Sequence, residues 1–212
     1  MSRPGVGLGR AWDLALAIPA LAILSPLLAT IALAIRLDSP GPALFRQVRI
    51  GRNGRPFRLV KFRTMSHRPG PDPGTFAPGD RSRVTRVGRF LRATKLDELP
   101  QLAHVVLGGM ALVGPRPEVP DWVEVGHAID PDRSAVVLAA RPGLTDPASL
   151  AFRDEEATLA AASDPIAHYR DAILPAKLAL QADYLATRTA WTDLAVLART
   201  LLALAPRRTE HR

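Results

Sequence analysis

Two adjacent carboxylates, Asp97 and Glu98, lie in residues 94–118 (TKLDELPQLAHVVLGGMALVGPRPE), ahead of a Gly-Pro-Arg-Pro-Glu corner at 114–118. In mid-helix, neighbouring side chains point about 100° apart, so such a pair cannot act together there. At a helix start it can, because free N–H groups and the positive dipole end favour anions. Thr94 ahead of Asp97 fits a capping pattern, and Pro100 suits only a first turn, so the spacing predicts a helix beginning at the acids. Read alone, an Asp-Glu pair is more often a capping box than a catalytic centre. What changes that balance is the set of motifs it occurs with. Arg116, fixed between Pro115 and Pro117, offers a fork matched to phosphate. With the period of a strand, Lys61 and Arg63 share a face with Phe57 and Leu59, where both cations could meet one phosphate.

The elements that must position these groups are readable in outline. Residues 43–50 and 56–63 are predicted as two short strands joined through Asn53-Gly54, a hairpin signal. Residues 83–92 (RVTRVGRFLR) form an amphipathic basic segment suited to a membrane surface. Residues 157–204 read as mostly helical, with interruptions at Asp164-Pro165 and Pro175, and the apolar run 195–205 fits a core helix or an interfacial one. The acidic run Asp154, Glu155 and Glu156 reads as a helix start. Residues 66–81 hold four prolines and three glycines, which excludes helix and strand and leaves a linker or a substrate-gating loop. His67, inside it, has no partners at metal-ligand spacing.

Residues 14–35 carry no charge over 22 positions. As a straight helix they reach about 33 Å, enough to cross a bilayer core. Two features favour a helix that enters and returns. Ser25-Pro26 lies near the midpoint, where proline removes a hydrogen bond. Arginines flank both ends (Arg3 and Arg10; Arg36, Arg46, Arg49, Arg52 and Arg55), which places both on the cytoplasmic side. Each arm then reaches about 16 Å, one leaflet deep. Trp12 and Arg10 suit the headgroup level, and no cleavage site marks a removable signal peptide.

Composition narrows the partners. Lys and Arg outnumber Asp and Glu 28 to 20, so an anionic partner is expected: nucleic acid, acidic lipid or a phosphorylated substrate. Aromatics are only 5%, which argues against base-stacking surfaces for single-stranded nucleic acid, and no nucleic-acid partner is expected. With no cysteine, disulfides and thiolate metal sites are excluded.

KFRTM (61–65), RVTRVGRFLR, KLDELPQ (95–101), LVGPRPE (112–118) and RPGLT (141–145) occur in this order. Together they closely resemble the bacterial sugar transferases, the monotopic phosphoglycosyl transferases, from about Arg10 to the C-terminus. The resemblance implies an α/β fold, mostly helical with a small β-hairpin, plus interfacial amphipathic helices. It divides the chain into a re-entrant membrane helix at 1–36, broken at Ser25 and Pro26, and a cytoplasmic catalytic domain at 37–212. It implies transfer of a phosphosugar from a UDP-sugar to polyprenyl (undecaprenyl) phosphate at the cytoplasmic face of the bacterial inner membrane. In that scheme Asp97 is the nucleophile, and Asp97 and Glu98 hold Mg2+, a hard cation suited to two acids without a histidine pair. Lys61, Arg116, Arg141 and, less directly, Arg63 bind the donor's phosphates. Anionic lipids are further partners, and a homodimer stays open. After Thr145 the chain reads DPASLAFRDEE where many relatives read GLWQV, matching smaller members. The alternatives are an inactive membrane scaffold and a membrane-anchored basic binding protein.

Overall fold

A computed structural model describes residues 7–66 and 83–204. Residues 67–81 of the predicted loop with His67, Arg3, and the basic tail of Arg207, Arg208 and Arg212 lie outside the described residues.

The chain opens with α1 (Arg10–Asp38), a helix of 29 residues that contains Pro19 and Pro26. Proline 26 has no N–H to give to the carbonyl of Ala22, four residues back. Ser25 Oγ donates to that same carbonyl at 2.8 Å, and Thr30 Oγ1 donates to Pro26 O at 2.9 Å. The Ser-Pro pair thus carries its own repair, which matters most where no water can supply one. With a mean hydropathy of 2.3 over its most apolar window, α1 is long and apolar enough to cross a membrane. One stripe, spaced three or four residues apart, faces the protein: Asp13, Ala17, Leu21, Leu24, Leu28, Ile31 and Ile35. The remaining surface is apolar and exposed, including Trp12, Ile18, Ile23, Leu33 and Leu37.

After α1 come β1 (Leu44–Ile50) and β2 (Pro56–Phe62), antiparallel and in register from Leu44 with Phe62 to Ile50 with Pro56. Their turn, residues 52–54, puts Asn53 at φ 58° and Gly54 at φ 72°, the left-handed region that the Asn-Gly pair tolerates. The hairpin is sided as predicted: Leu59 enters one core cluster with Phe57, and Phe62 enters another with Ile31, Ile35 and Leu91.

Next is α2 (Arg86–Thr94), which Thr85 caps by accepting from Gly88 N at 3.0 Å. Its Leu91 is buried and Phe90 exposed, the amphipathic pattern expected. Lys95, at φ 57°, turns the chain into a 3₁₀ turn, Leu96–Gln101, continued by α3 (Leu102–Leu107). Then follow β3 (Ala111–Val113), α4 (Pro120–Ile129), α5 (Pro131–Ala139) and β4 (Gly143–Thr145). Strands β3 and β4 pair in parallel, a feature absent from the sequence reading. Here Gly114 and Gly143 cross so closely that a Cβ on Gly143 would meet Gly114 N at 2.1 Å.

The remainder is helical: α6 (Pro147–Ala151), α7 (Glu155–Ala161), α8 (Pro165–His168), a π-helical segment (Tyr169–Ile173), α9 (Leu174–Thr187) and α10 (Ala190–Leu204). Asp154 precedes α7, whose first turn holds Glu155 and Glu156, as the charge run predicts. Helix α10 packs one face of its run into the core and leaves another exposed. Val196 is in the core, while Trp191, Leu201 and Leu202 are exposed.

Candidate active site

The acid pair does begin a helical element, but the cap is not the predicted one. Thr94 Oγ1 donates back to Phe90 O at 2.9 Å and so ends α2, while Lys95 makes the turn. In a 3₁₀ turn, successive side chains diverge by about 120°. The two carboxylates therefore enter different surroundings.

Glu98 faces the 114–118 corner. Its two oxygens receive both terminal nitrogens of Arg116, Nη1 to Oε2 at 2.9 Å and Nη2 to Oε1. Burial works against its ionisation, but the charge and hydrogen bonds of Arg116 outweigh it and hold the carboxyl at about 2. Arg116 in turn is held firmly charged by Glu98. Asp97 is only 7% exposed. Burial, then the neighbouring charge of Glu98, raises it to about 6, against the opposing pull of Lys61. Its Oδ1 is buried without a hydrogen-bond partner.

Lys61 reaches the site from β2, with its ammonium 5.5 Å from the ring centre of Phe45, its cross-strand neighbour. Burial lowers its proton affinity, and Asp97 opposes that. Behind the site, a fully buried Asp146 fixes the backbone of Arg116, accepting from Arg116 N at 3.1 Å and from Gln181 Nε2 at 2.6 Å. Glu118 anchors the other end of the corner. It accepts from Tyr169 Oη at 3.0 Å and pairs with Arg49 at 3.4 Å and Lys177 at 3.5 Å. Lys177 also pairs with Glu155 at 2.6 Å. A cavity of about 50 Å³ lies beneath this corner, bordered by Arg116, Glu118, Trp122, Lys177 and Gln181.

The structure thus brings Lys61, Asp97, Glu98 and Arg116 into one charged cluster. It gives Arg63 a different task from the predicted one. Strand β2 ends at Phe62, and the Arg63 guanidinium turns onto the C-terminal end of α1, donating to Ser39 O at 2.7 Å and Pro40 O at 2.6 Å. Arg141 Nη1 lies 3.9 Å from Asp13 Oδ2 on α1. The sequence reading missed Arg49, Asp146, Tyr169, Lys177 and Gln181. Their common role is to hold the corner, and no local spacing announces it.

Among the described residues, no group of three or more His, Cys, Asp or Glu side chains gathers as a metal cage. A magnesium ion bound through one or two carboxylates and substrate phosphates needs no such cage. The unpartnered Oδ1 of Asp97 fits that donor set; both Glu98 oxygens are already shared with Arg116.

Comparison with known proteins gives the family. The profile of a family described as bacterial sugar transferase matches residues 6–207. A UDP-glucose:undecaprenyl-phosphate glucose-1-phosphate transferase of Caulobacter vibrioides is 43% identical over 185 residues, covering 86% of this chain and 64% of that protein. One of the same name from Escherichia coli K12 is 51% identical over 110 residues, 52% of this chain and 24% of its own. A UDP-N-acetylgalactosamine-undecaprenyl-phosphate N-acetylgalactosaminephosphotransferase of Aeromonas hydrophila is 43% identical over 115 residues, 54% of this chain and 27% of its own. The chain therefore spans less than two thirds of the length of these relatives. With matched residues running through the hairpin, the acid pair and the Arg116 corner alike, the chain belongs to the bacterial sugar transferase family.

Proposed function

We propose that this protein moves a sugar-1-phosphate from a UDP-sugar to undecaprenyl phosphate, starting a membrane-bound glycan. The observation that carries the reading is the unequal setting of two adjacent acids: Asp97 is buried with Oδ1 unpartnered, while Arg116 takes both oxygens of Glu98, so the first is raised to about 6 and the second held at about 2. Environments that push neighbouring titratable groups apart assign them different roles. Asp97, buried, with one oxygen unpartnered, is the nucleophile. Glu98 orients Arg116, whose fork receives donor phosphate oxygens together with Lys61.

In the first half-reaction, an Asp97 oxygen bonds to the sugar-proximal phosphorus of the donor. The bond to the bridging oxygen breaks, and UMP leaves with that electron pair, so a phosphosugar remains on Asp97. In the second, a phosphate oxygen of the lipid attacks the same phosphorus. The product is polyprenyl diphosphate-sugar, and the Asp97 carboxylate is released. Asp97, with Glu98 beside it in the chain, would hold Mg2+, which would supply neutralisation of phosphoryl charge. Lys61 keeps Asp97 ionised near neutrality, and burial limits access of water to the covalent acyl phosphate.

Membrane association on the cytoplasmic face belongs to the same reading. Both ends of α1 contact one protein body: Arg10 donates to Val106 O at 2.7 Å, and Arg63 donates to Ile35 O at 3.2 Å. Straight, its 29 residues would extend about 43 Å. A re-entrant path turning at Ser25-Pro26 keeps both anchors on one side of the bilayer.

The test is UMP release from UDP-glucose and UDP-N-acetylgalactosamine by the full chain in nanodiscs, with undecaprenyl phosphate and magnesium. Wild type is expected to release UMP, and Asp97→Asn to lose at least about a thousandfold, the scale set by losing a covalent nucleophile. Release that survives in Asp97→Asn sinks the covalent route.

A further inference from the structure

An aspartate buried at the beginning of an apolar helix calls for an explanation. Asp13 is only 2% exposed. Its Oδ1 accepts from Leu112 N at 3.0 Å, and its Oδ2 lies 3.9 Å from Arg141 Nη1. Leu112 belongs to β3, which runs directly into Gly114, Pro115 and Arg116. Arg141 precedes β4, the parallel partner of β3. One turn earlier on α1, Arg10 donates through Nη1 to Val105 O and through Nη2 to Val106 O at 2.7 Å. These carbonyls close α3, the helix that continues directly from the 3₁₀ turn bearing Asp97 and Glu98. Gly108, at φ 91°, ends α3 beside the Arg10 guanidinium.

The first turn of the membrane helix therefore holds both halves of the site from behind. Arg10 grips the far end of the acid-bearing helix, and Asp13 grips the strand that delivers Arg116. We infer that Arg10 and Asp13 are positioning residues, which make the alignment of Asp97–Glu98 against Arg116 depend on how α1 is seated. Neither residue has to touch substrate for this. Leu112 N is buried, so without Asp13 it loses the acceptor that Oδ1 supplies, a loss that a buried amide rarely sustains. The catalytic consequence rests on the transferase reading above; the mechanical one does not.

Two readouts on the full chain in nanodiscs separate them. The first is amide hydrogen exchange over residues 111–116, which needs no substrate. Asp13→Ala is expected to speed exchange there about tenfold. Asp13→Asn, which keeps an acceptor oxygen for Leu112 N, is expected to stay within about threefold of wild type. Unchanged exchange in Asp13→Ala overturns the inference. The second is the steady-state split of UMP release. Asp13→Ala and Arg10→Ala are expected to lower kcat about tenfold or more, with donor KM within about twofold, and Asp13→Asn to recover most of the rate. Faster exchange with an unaltered kcat makes Asp13 a plain anchor and overturns the positioning role. If wild type releases no UMP at all, the transferase reading fails, and exchange alone decides the clamp.

Discussion

Neutralising Asp97, the proposed nucleophile, should stabilise the protein while it abolishes turnover. Asp97 is raised from an ordinary 3.8 to about 6, first by burial and then by the charge of Glu98. The folded state therefore binds this proton more tightly than the unfolded chain, and stability falls as pH climbs from about 4 through about 6. Each tenfold change in proton affinity is worth about 1.4 kcal/mol, so keeping Asp97 ionised at pH 8 costs about 3 kcal/mol. That figure already includes the attraction to Lys61, which acts in the opposite direction. Asn has the same shape and no charge to desolvate. Asp97→Asn should gain up to about 3 kcal/mol at pH 8, or roughly 6–12 °C in Tm for a chain of this size. At pH 4, where wild-type Asp97 is protonated when folded, the gain should shrink below about 1 kcal/mol. Thermal melts of both proteins in one detergent, at pH 4, 6 and 8, provide the check. A Tm for Asp97→Asn at or below wild type at pH 8, or a difference independent of pH, would refute the reasoning. The nucleophile would then not be the strained member of the pair.

Two further outcomes are expected from the same geometry. Lys61 pulls the proton affinity of Asp97 down, so Lys61→Met should shift the acid limb of kcat/KM upward by about one pH unit from its place near pH 6. A pH profile of UMP release measures it, and a limb that stays put or moves down contradicts the pairing. Gly143→Ala would drive a Cβ to 2.1 Å from Gly114 N. It should cost at least about 2 kcal/mol and displace the Arg116 corner, a loss visible as a lower melting temperature with activity falling alongside.

How much of this was legible in the sequence depends on the range over which each feature is encoded. The hairpin was readable because Asn53-Gly54 is a local demand: the turn needs two left-handed residues in a row. The acid pair was readable as a helix start because proline and carboxylates reveal such a start within a single turn. Ser25-Pro26 reads as a break in the sequence, but α1 is helical from Arg10 to Asp38, and the repair in which Ser25 serves the Ala22 carbonyl that Pro26 cannot is not legible there. Strands β3 and β4 escaped because three residues each are too few to show a period, and their partners lie about thirty positions apart. Arg63 was misassigned because alternation fixes a face only while the strand lasts, and β2 ends one residue earlier. Asp13 offered no clue, since an acid next to an apolar run looks like its polar edge until the partner strand is in place.

The chemistry itself lies on the non-local side of that divide. Asp97 and Glu98 differ by one methylene and share a backbone, so nothing in their own identities makes one a nucleophile and the other a clamp. Strand β2 brings Lys61 towards Asp97, and the corner after β3 brings Arg116 onto Glu98. The corner is itself fixed by Asp146 behind Arg116 and by Tyr169, Lys177 and Arg49 around Glu118. If Arg116 released Glu98, the two acids would compete for the same cation and the same protons, and the split that defines their roles would close. The role of each acid is therefore set by which distant element reaches it. On the proposed function, the network behind Arg116 belongs to the catalytic machinery as much as the carboxylates do.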